Sequence, residues 1–173
     1  MNKIWFTSDS HYDHTNIIEY CDRPFVNTDA MNKALINNWN SVVKKGHTVF
    51  HLGDFAICGK DKIIEVGKQL NGEKILILGN HDNASVDTYR EAGFKLVYKH
   101  PVILQDFFIL SHKPPEFMSE NTPYAFIYGH VHDSEMYQTI TARSACVCVE
   151  RWNYTPVDFD VLKKGMMQYE EKE

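Results

Sequence analysis

The chain has 173 residues, 43% of them hydrophobic and 24% charged, with a formal net charge of −5. That balance fits one domain over residues 1–173 and excludes a disordered or low-complexity chain. It also argues against stable binding of duplex nucleic acid, which needs a broad basic face. No apolar run approaches the ~18 residues of a membrane span, and the start (MNKIW) lacks the apolar stretch of a secretory signal. A cytoplasmic protein with no membrane partner is expected.

Residues 3–7 (KIWFT) read as a buried first strand, followed by a polar stretch through Asn27. A helix is expected from Thr28 or Asp29 as its cap, because Met31, Leu35, Trp39 and Val42 or Val43 recur at helical spacing. Gly46 ends it, and residues 48–52 (TVFHL) read as the next strand. Residues 60–70 carry Ile63, Ile64, Val66 and Leu70 on one helical face, and after the Asn71-Gly72 turn residues 73–78 (EKILIL) form a core strand. The order β, α, β, α, β predicts a parallel sheet with crossover helices.

A third helix is expected over 86–92. The pattern then changes to short strands at 94–98, 102–105, 107–111, 125–128, 136–142 and 146–149, with Gln105-Asp106 as a hairpin turn. This second half is predicted to be more antiparallel, and a short amphipathic helix with an acidic end closes the chain. The four cysteines (Cys21, Cys58, Cys146, Cys148) form no C-x-x-C pair. They read as free thiols, with Cys146 and Cys148 on one face of a strand.

Five polar clusters sit where strands should end: Asp9-Ser10-His11, Gly53-Asp54, Gly79-Asn80-His81-Asp82, Ser111-His112 and Gly129-His130-Val131-His132. Ligands in open α/β sheets gather beyond the carboxyl ends of strands, so the clusters can converge. Carboxylate, imidazole and carboxamide donors together suit borderline divalent metals, and no cysteine set suggests a structural zinc site. In extended chain, residues two apart face the same way, which would aim Asp9 with His11, and His130 with His132, at a shared point. Gly53, Gly79 and Gly129 each precede a donor, where the backbone must turn sharply.

The ordered series D-x-H, G-D, G-N-H-D, H, G-H-x-H from Asp9 to His132 resembles the signature of the calcineurin-like metallophosphoesterase superfamily, in particular its compact bacterial, archaeal and phage members. The resemblance implies an α/β fold: a four-layer αββα sandwich of two mixed β-sheets flanked by helices, with a dinuclear metal site between the sheets. Carried over by position, Asp9, His11 and His132 would bind one metal, Asn80, His112 and His130 the other, and Asp54 both. Two divalent ions are implied, manganese foremost, with iron, zinc, nickel or cobalt compatible. The implied reaction is in-line attack of a metal-bridging hydroxide on a phosphoester. His81 is the motif's non-ligand histidine, assigned to protonating the leaving oxygen, and Asp82 is expected to orient it by a hydrogen bond.

Around the motifs, His14 and Arg23 are candidates for contacting the phosphoester substrate. A solvated loop histidine and a structural ion pair are the competing readings. Arg143 and Arg151 are weaker candidates, and His47, His51 and His100 read as structural. Gly53-Asp54 continues into Phe55-Ala56-Ile57-Cys58, without the arginine that protein phosphatases of the superfamily carry there, which argues against that activity. The chain leaves no room for a cap, so the site is expected to be open and bordered by residues 12–28 and 113–124. The expected function is a phosphodiesterase acting on nucleotide-like or nucleic-acid-derived diesters. A phosphomonoesterase or nucleotide pyrophosphatase is the alternative on the same site. A non-catalytic, phosphoesterase-like protein-binding scaffold is the alternative of a different class; missing ligands would favour it, and none is missing.

Overall fold

The computed structural model describes residues 2–116 and 122–170. Its elements in chain order are β1 (Ile4–Thr7), α1 (Asn16–Tyr20), α2 (Thr28–Val42), β2 (Thr48–His51), α3 (Lys60–Gln69), β3 (Glu73–Ile77), α4 (Val86–Glu91), β4 (Phe94–Tyr98), β5 (Val102–Leu104), β6 (Phe108–Ser111), β7 (Ala125–Tyr128), β8 (Ser144–Cys146), β9 (Val157–Asp158) and α5 (Phe159–Glu170). They build two mixed sheets with flanking helices, ordered β4-β3-β2-β1-β9 and β5-β6-β7-β8.

Strand periodicity decides which core each residue joins. On one face of the first sheet, Val49 and Leu76 pack with Met31, Leu35 and Trp39 of α2 and with Ile63 and Val66 of α3. On the other, Phe6, Phe50, Ile75 and Ile77 meet Phe108, Leu110, Ile127 and Ala145 of the second sheet. Phe159, Leu162 and Met166 of α5 close this inter-sheet core. Burying such side chains supplies roughly 1.5–3 kcal/mol each, which holds the two sheets in fixed relation.

β1, β2 and β3 follow the expected β-α-β-α-β order and are parallel. The strand at 94–98, expected in the more antiparallel second half, joins this sheet as β4, parallel to β3, and β9 is added antiparallel to β1. Val157–Asp158 is too short for periodicity to reveal. The helix over 28–42 is capped by Asn27, one position earlier than expected: its side chain accepts from the Ala30 N–H at 2.9 Å. The stretch read as merely polar contains α1, which buries Ile17.

The second half departs from the expected antiparallel pattern. Among its described strands β5–β6 is antiparallel, whereas β6–β7 and β7–β8 are parallel. The turn at Gln105-Asp106 is present, both residues having positive φ. Residues 136–142 are not a strand and contribute a single bridge, Ile140 to Ala145. The strand expected at 146–149 is instead β8, Ser144–Cys146, and Val149–Trp152 turns as a short 3-10 helix. Parallelism matters because β1, β2 and β3 all deliver their carboxyl ends to one edge, as do β6 and β7.

Candidate metal centre

The sheets join at the point where the motifs emerge. Just past β1, Ser8 bridges to Cys148 beyond β8: the Ser8 N–H donates to the Val147 carbonyl at 3.0 Å, and the Val149 N–H to the Ser8 carbonyl at 3.2 Å. From there the loops are laced together. The Asp9 N–H donates to the Gly53 carbonyl (2.9 Å), the His11 N–H to the Asp54 carbonyl (3.0 Å) and the Gly129 N–H to the His112 carbonyl (2.8 Å). The His130 N–H reaches Asp9 Oδ2 at 2.8 Å.

Asp9, His11, Asp54, His130 and His132 all have positive φ, from 47 to 73°. Side-chain-bearing residues seldom adopt this conformation, and each costs roughly 1 kcal/mol or more, so the surrounding bonds must impose it. Asp9 with His11, and His130 with His132, therefore converge through left-handed turns and not through the extended alternation expected from sequence. The glycines make room. A Cβ on Gly79 would collide with Asp54 Oδ1 and lie 2.5 Å from the Asp54 nitrogen. One on Gly129 would strike Ser8 Oγ and Asp9 Oδ2.

Two donor groups result, Asp9–His11–His132 and Asp54–His112–His130, each with its ligand atoms within 4.8 Å of one another. Asp54 Oδ2 faces both, at 3.6 Å from His11 Nε2 and 3.4 Å from His112 Nε2. Asn80 Oδ1 lies 3.0 Å from His112 Nε2, and His130 Nδ1 lies 3.1 Å from it. The seven candidate donors are thus assembled around one point.

The residues fit a pair of cations. Asp9 Oδ1 and His11 Nε2 are buried and have no hydrogen-bond partner, a costly state for such groups. His112 must donate Nδ1–H to the Leu52 carbonyl at 2.8 Å, since a carbonyl only accepts. Nε2 then faces the acceptor oxygens of Asn80 and Asp54 at 3.0 and 3.4 Å, an arrangement that needs positive charge among them. Burial opposes that charge on the ring itself, but the Asp54 hydrogen bond and the Asp9 and Asp54 carboxylates outweigh it and raise the His112 imidazole. Burial pushes the Asp9 carboxyl up and the His11 imidazole down to about 3. Burial opposes ionisation of Asp54 as well, but the His112 hydrogen bond and charge outweigh it and hold Asp54 below the usual carboxylate range.

The remaining candidates fall into three situations. His81 stands at the exposed mouth: its backbone N–H donates to Asp54 Oδ1 at 2.9 Å, and its ring lies 5.6 Å from that of His11. His14 is half-buried, with Nδ1 3.3 Å from His11 Nδ1. Asp82 and Arg23 do something other than expected. Asp82 makes no hydrogen bond to His81; it accepts from the Asp54, Gly79 and Phe55 N–H groups at 2.7, 2.8 and 2.9 Å and from the Tyr89 hydroxyl at 3.2 Å. Arg23 is buried, its guanidinium spent on Glu150 (2.6 Å) and on the carbonyls of Asp9 and Ser10. It forms the structural ion pair. Of the loops expected to border the site, residues 117–121 lie outside the described residues.

Two residues escaped the sequence reading. Glu150 accepts from His132 Nδ1 at 2.9 Å as well as from Arg23, fixing the ring so that Nε2 faces Asp9 at 3.8 Å. The Cys148 thiol donates to Asp9 Oδ2 at 3.2 Å. No spacing links either to the motif series; both become visible only when Ser8 and Cys148 pair. All four cysteines are free, and Cys146 and Cys148 are buried with sulfurs 3.3 Å apart.

A family model described as calcineurin-like phosphoesterase matches residues 2–153. The uncharacterized protein MJ1445 of Methanocaldococcus jannaschii is 38% identical over 170 residues, 95% of this chain and 91% of that protein. The Gene 66 protein of Mycobacterium phage D29 is 38% identical over 95 residues, 53% of this chain and 46% of the phage protein. Among solved structures, the protein of unknown function AQ665 from Aquifex aeolicus superposes with a TM-score of 0.72 at 27% identity, over 95% of this chain and 99% of that one. The Pseudomonas putida nuclease MPE gives 0.51 at 21% identity over 75% of this chain and 61% of its own, a likeness of fold alone.

Proposed function

The chain belongs to the calcineurin-like phosphoesterase family, and from that premise we propose that it is a dinuclear-metal-dependent phosphodiesterase acting on nucleotide-like or nucleic-acid-derived diesters. Asp9, His11 and His132 would hold one divalent cation, Asn80, His112 and His130 the other, and Asp54 both. Bound there, two such ions (manganese foremost) supply Lewis acidity toward phosphoryl oxygens and a water that ionises near neutral pH. The observation carrying this reading is the orphaned, buried pair Asp9 Oδ1 and His11 Nε2, aimed into the assembled donors.

The chain's own groups divide the remaining work. Asn80 brings a ligand oxygen without charge, so two carboxylates meet two dications and the site stays attractive to an anion. His81, exposed at the mouth and bonded inward through its backbone, would give a proton to the leaving ester oxygen. His14, beside His11, would meet a non-bridging oxygen or the ester limb.

Preference for a diester is supported by where the arginines go. Arg23 is held by Glu150, Arg151 by the His132 and Ser134 carbonyls and Arg143 by the Thr122 carbonyl. A dianionic monoester gains more from a guanidinium than a monoanionic diester does. The test is turnover of bis(p-nitrophenyl) phosphate against p-nitrophenyl phosphate on metal-defined protein with Mn²⁺. The diester should be favoured by at least about tenfold, and Asp54→Asn should lose about 100-fold or more. Monoester preference would replace the reading with a phosphomonoesterase, and stoichiometric metal without hydrolysis of either would replace it with a scaffold.

A further inference from the structure

Two clefts flank the Asn80-His81 corner, and they differ in chemistry. On the His81 side lies a cavity of about 390 Å³ whose wall includes Lys60, Asn83, Ser85 and Thr88. On the Asn80 side lies a larger one, about 530 Å³, within the range of small-molecule sites. Its surface is mainly apolar, with Ile109 of β6, Phe126 of β7 and the prolines at 101, 114 and 115. Its inner wall is formed by Asn80 and His112, which are also candidate metal donors. The cavity is therefore continuous with the reaction centre.

The rim adds a second feature. Lys99, His100 and Lys113 border the cavity and are exposed. Among the described residues neither Lys99 nor Lys113 has an ion-pair partner, a state they share with Lys33, Lys45 and Lys68, and of these they are the ones that border the cavity. On a chain of net charge −5, uncommitted ammonium groups beside an apolar cavity suit a ligand that is flat and apolar in its body and anionic at its edge. A diester has two limbs, and protonation from His81 places the departing limb on the side of the smaller, more mixed cavity.

Building on the phosphodiesterase reading, we propose that the apolar cavity beside Asn80 and His112 binds the retained limb of the substrate, an aromatic nucleoside, with Lys99 and Lys113 meeting a further phosphate on that limb. The reaction remains ordinary diester hydrolysis: water adds to phosphorus, the bond to the leaving oxygen breaks, and the nucleotide stays behind as a monoester. Short oligonucleotide ends and nucleotide diesters then become the preferred class over small alkyl diesters.

The test compares two esters with the same leaving group on the Mn²⁺-loaded protein: thymidine 3′-phosphate 5′-(p-nitrophenyl phosphate) and methyl p-nitrophenyl phosphate. The nucleotide ester should have at least a tenfold higher kcat/KM, carried by KM. Lys99→Ala/Lys113→Ala should erase most of that ratio, about tenfold, and Ile109→Asp should erase it by spoiling the apolar wall. Calorimetric binding of thymidine 3′,5′-bisphosphate should weaken in parallel. Equal kcat/KM for the two esters, or a ratio and affinity that the variants leave intact, would overturn the cavity while leaving the phosphodiesterase standing. Lysine-dependent bisphosphate binding without hydrolysis of either ester would do the reverse.

Discussion

Asp82 has two carboxylate oxygens and meets four donors: the N–H groups of Asp54, Phe55 and Gly79 and the Tyr89 hydroxyl. It acts as a clasp, tying the loop after β2 to the loop after β3 and so setting where Asp54 and Asn80 stand. Its neighbour His81 has no such internal bonds through its ring and faces outward. The two residues are adjacent in sequence yet opposite in kind, and their substitutions should separate. His81→Ala should cut turnover of diesters with poor leaving groups by about 100-fold and of activated aryl diesters far less. Asp82→Ala leaves three backbone donors unpaired, so it should lower stability by about 3 kcal/mol and depress both substrate types alike. Urea unfolding alongside a leaving-group series checks both, and equal loss on all substrates in His81→Ala would remove its role as proton donor.

At the level of elements, the site depends on strand ends that arrive level with one another: Thr7, His51 and Leu76 pair in register, as do Ser111, Tyr128 and Cys146. Gly79 and Gly129 let the loops that follow approach within contact of Asp54 and Asp9. Gly79→Ala forces a methyl group against the Asp54 backbone and carboxylate, so it should reduce Mn²⁺-dependent diester turnover by roughly 10–100-fold. Gly59→Ala, with nothing within 4 Å of the added carbon, is the matched control and should leave turnover near wild type. This dependence also explains what could be read in advance. β1, β2 and β3 were legible because helices with their own 3.6-residue stripe separate them, so crossover and parallel pairing both leave a mark. β4, which leads into β5 without a helix, and the two-residue β9 were not. The second sheet was not, because among the described residues no helix separates β6, β7 and β8. Short strands with no helix between them look antiparallel, yet here they run parallel. The donor residues were legible because glycine and short polar motifs punctuate the strand ends. Glu150 and Cys148 were not, because only the joining of the two sheets brings residue 150 to residue 132 and residue 148 to residue 9.

For the molecule as a whole, the donors come from both sheets: Asp9, His11, Asp54 and Asn80 from loops of the first, His112, His130 and His132 from loops of the second. Behind them the sheets share an apolar core, but at the edge they meet through the Ser8–Cys148 bridge and a ring of strained, partly unpaired polar groups. Cations bound between these loops would favour the folded state in which the donors are assembled and bind the dispersed unfolded chain poorly. By mass action, Mn²⁺ at about 100 times its dissociation constant should add about 2.7 kcal/mol. In a chain of this length that corresponds to roughly 5–10 °C in Tm. Scanning calorimetry of chelator-treated protein with and without Mn²⁺ reads the shift directly. Asp54→Asn, which weakens the one donor facing both groups, should reduce most of it, whereas Lys68→Ala on the exposed face of α3 should preserve it. A Tm that does not respond to Mn²⁺, Zn²⁺ or Co²⁺ would mean that the assembled donors do not hold cations between the sheets, and the metal-dependent reading of the centre would fall with it.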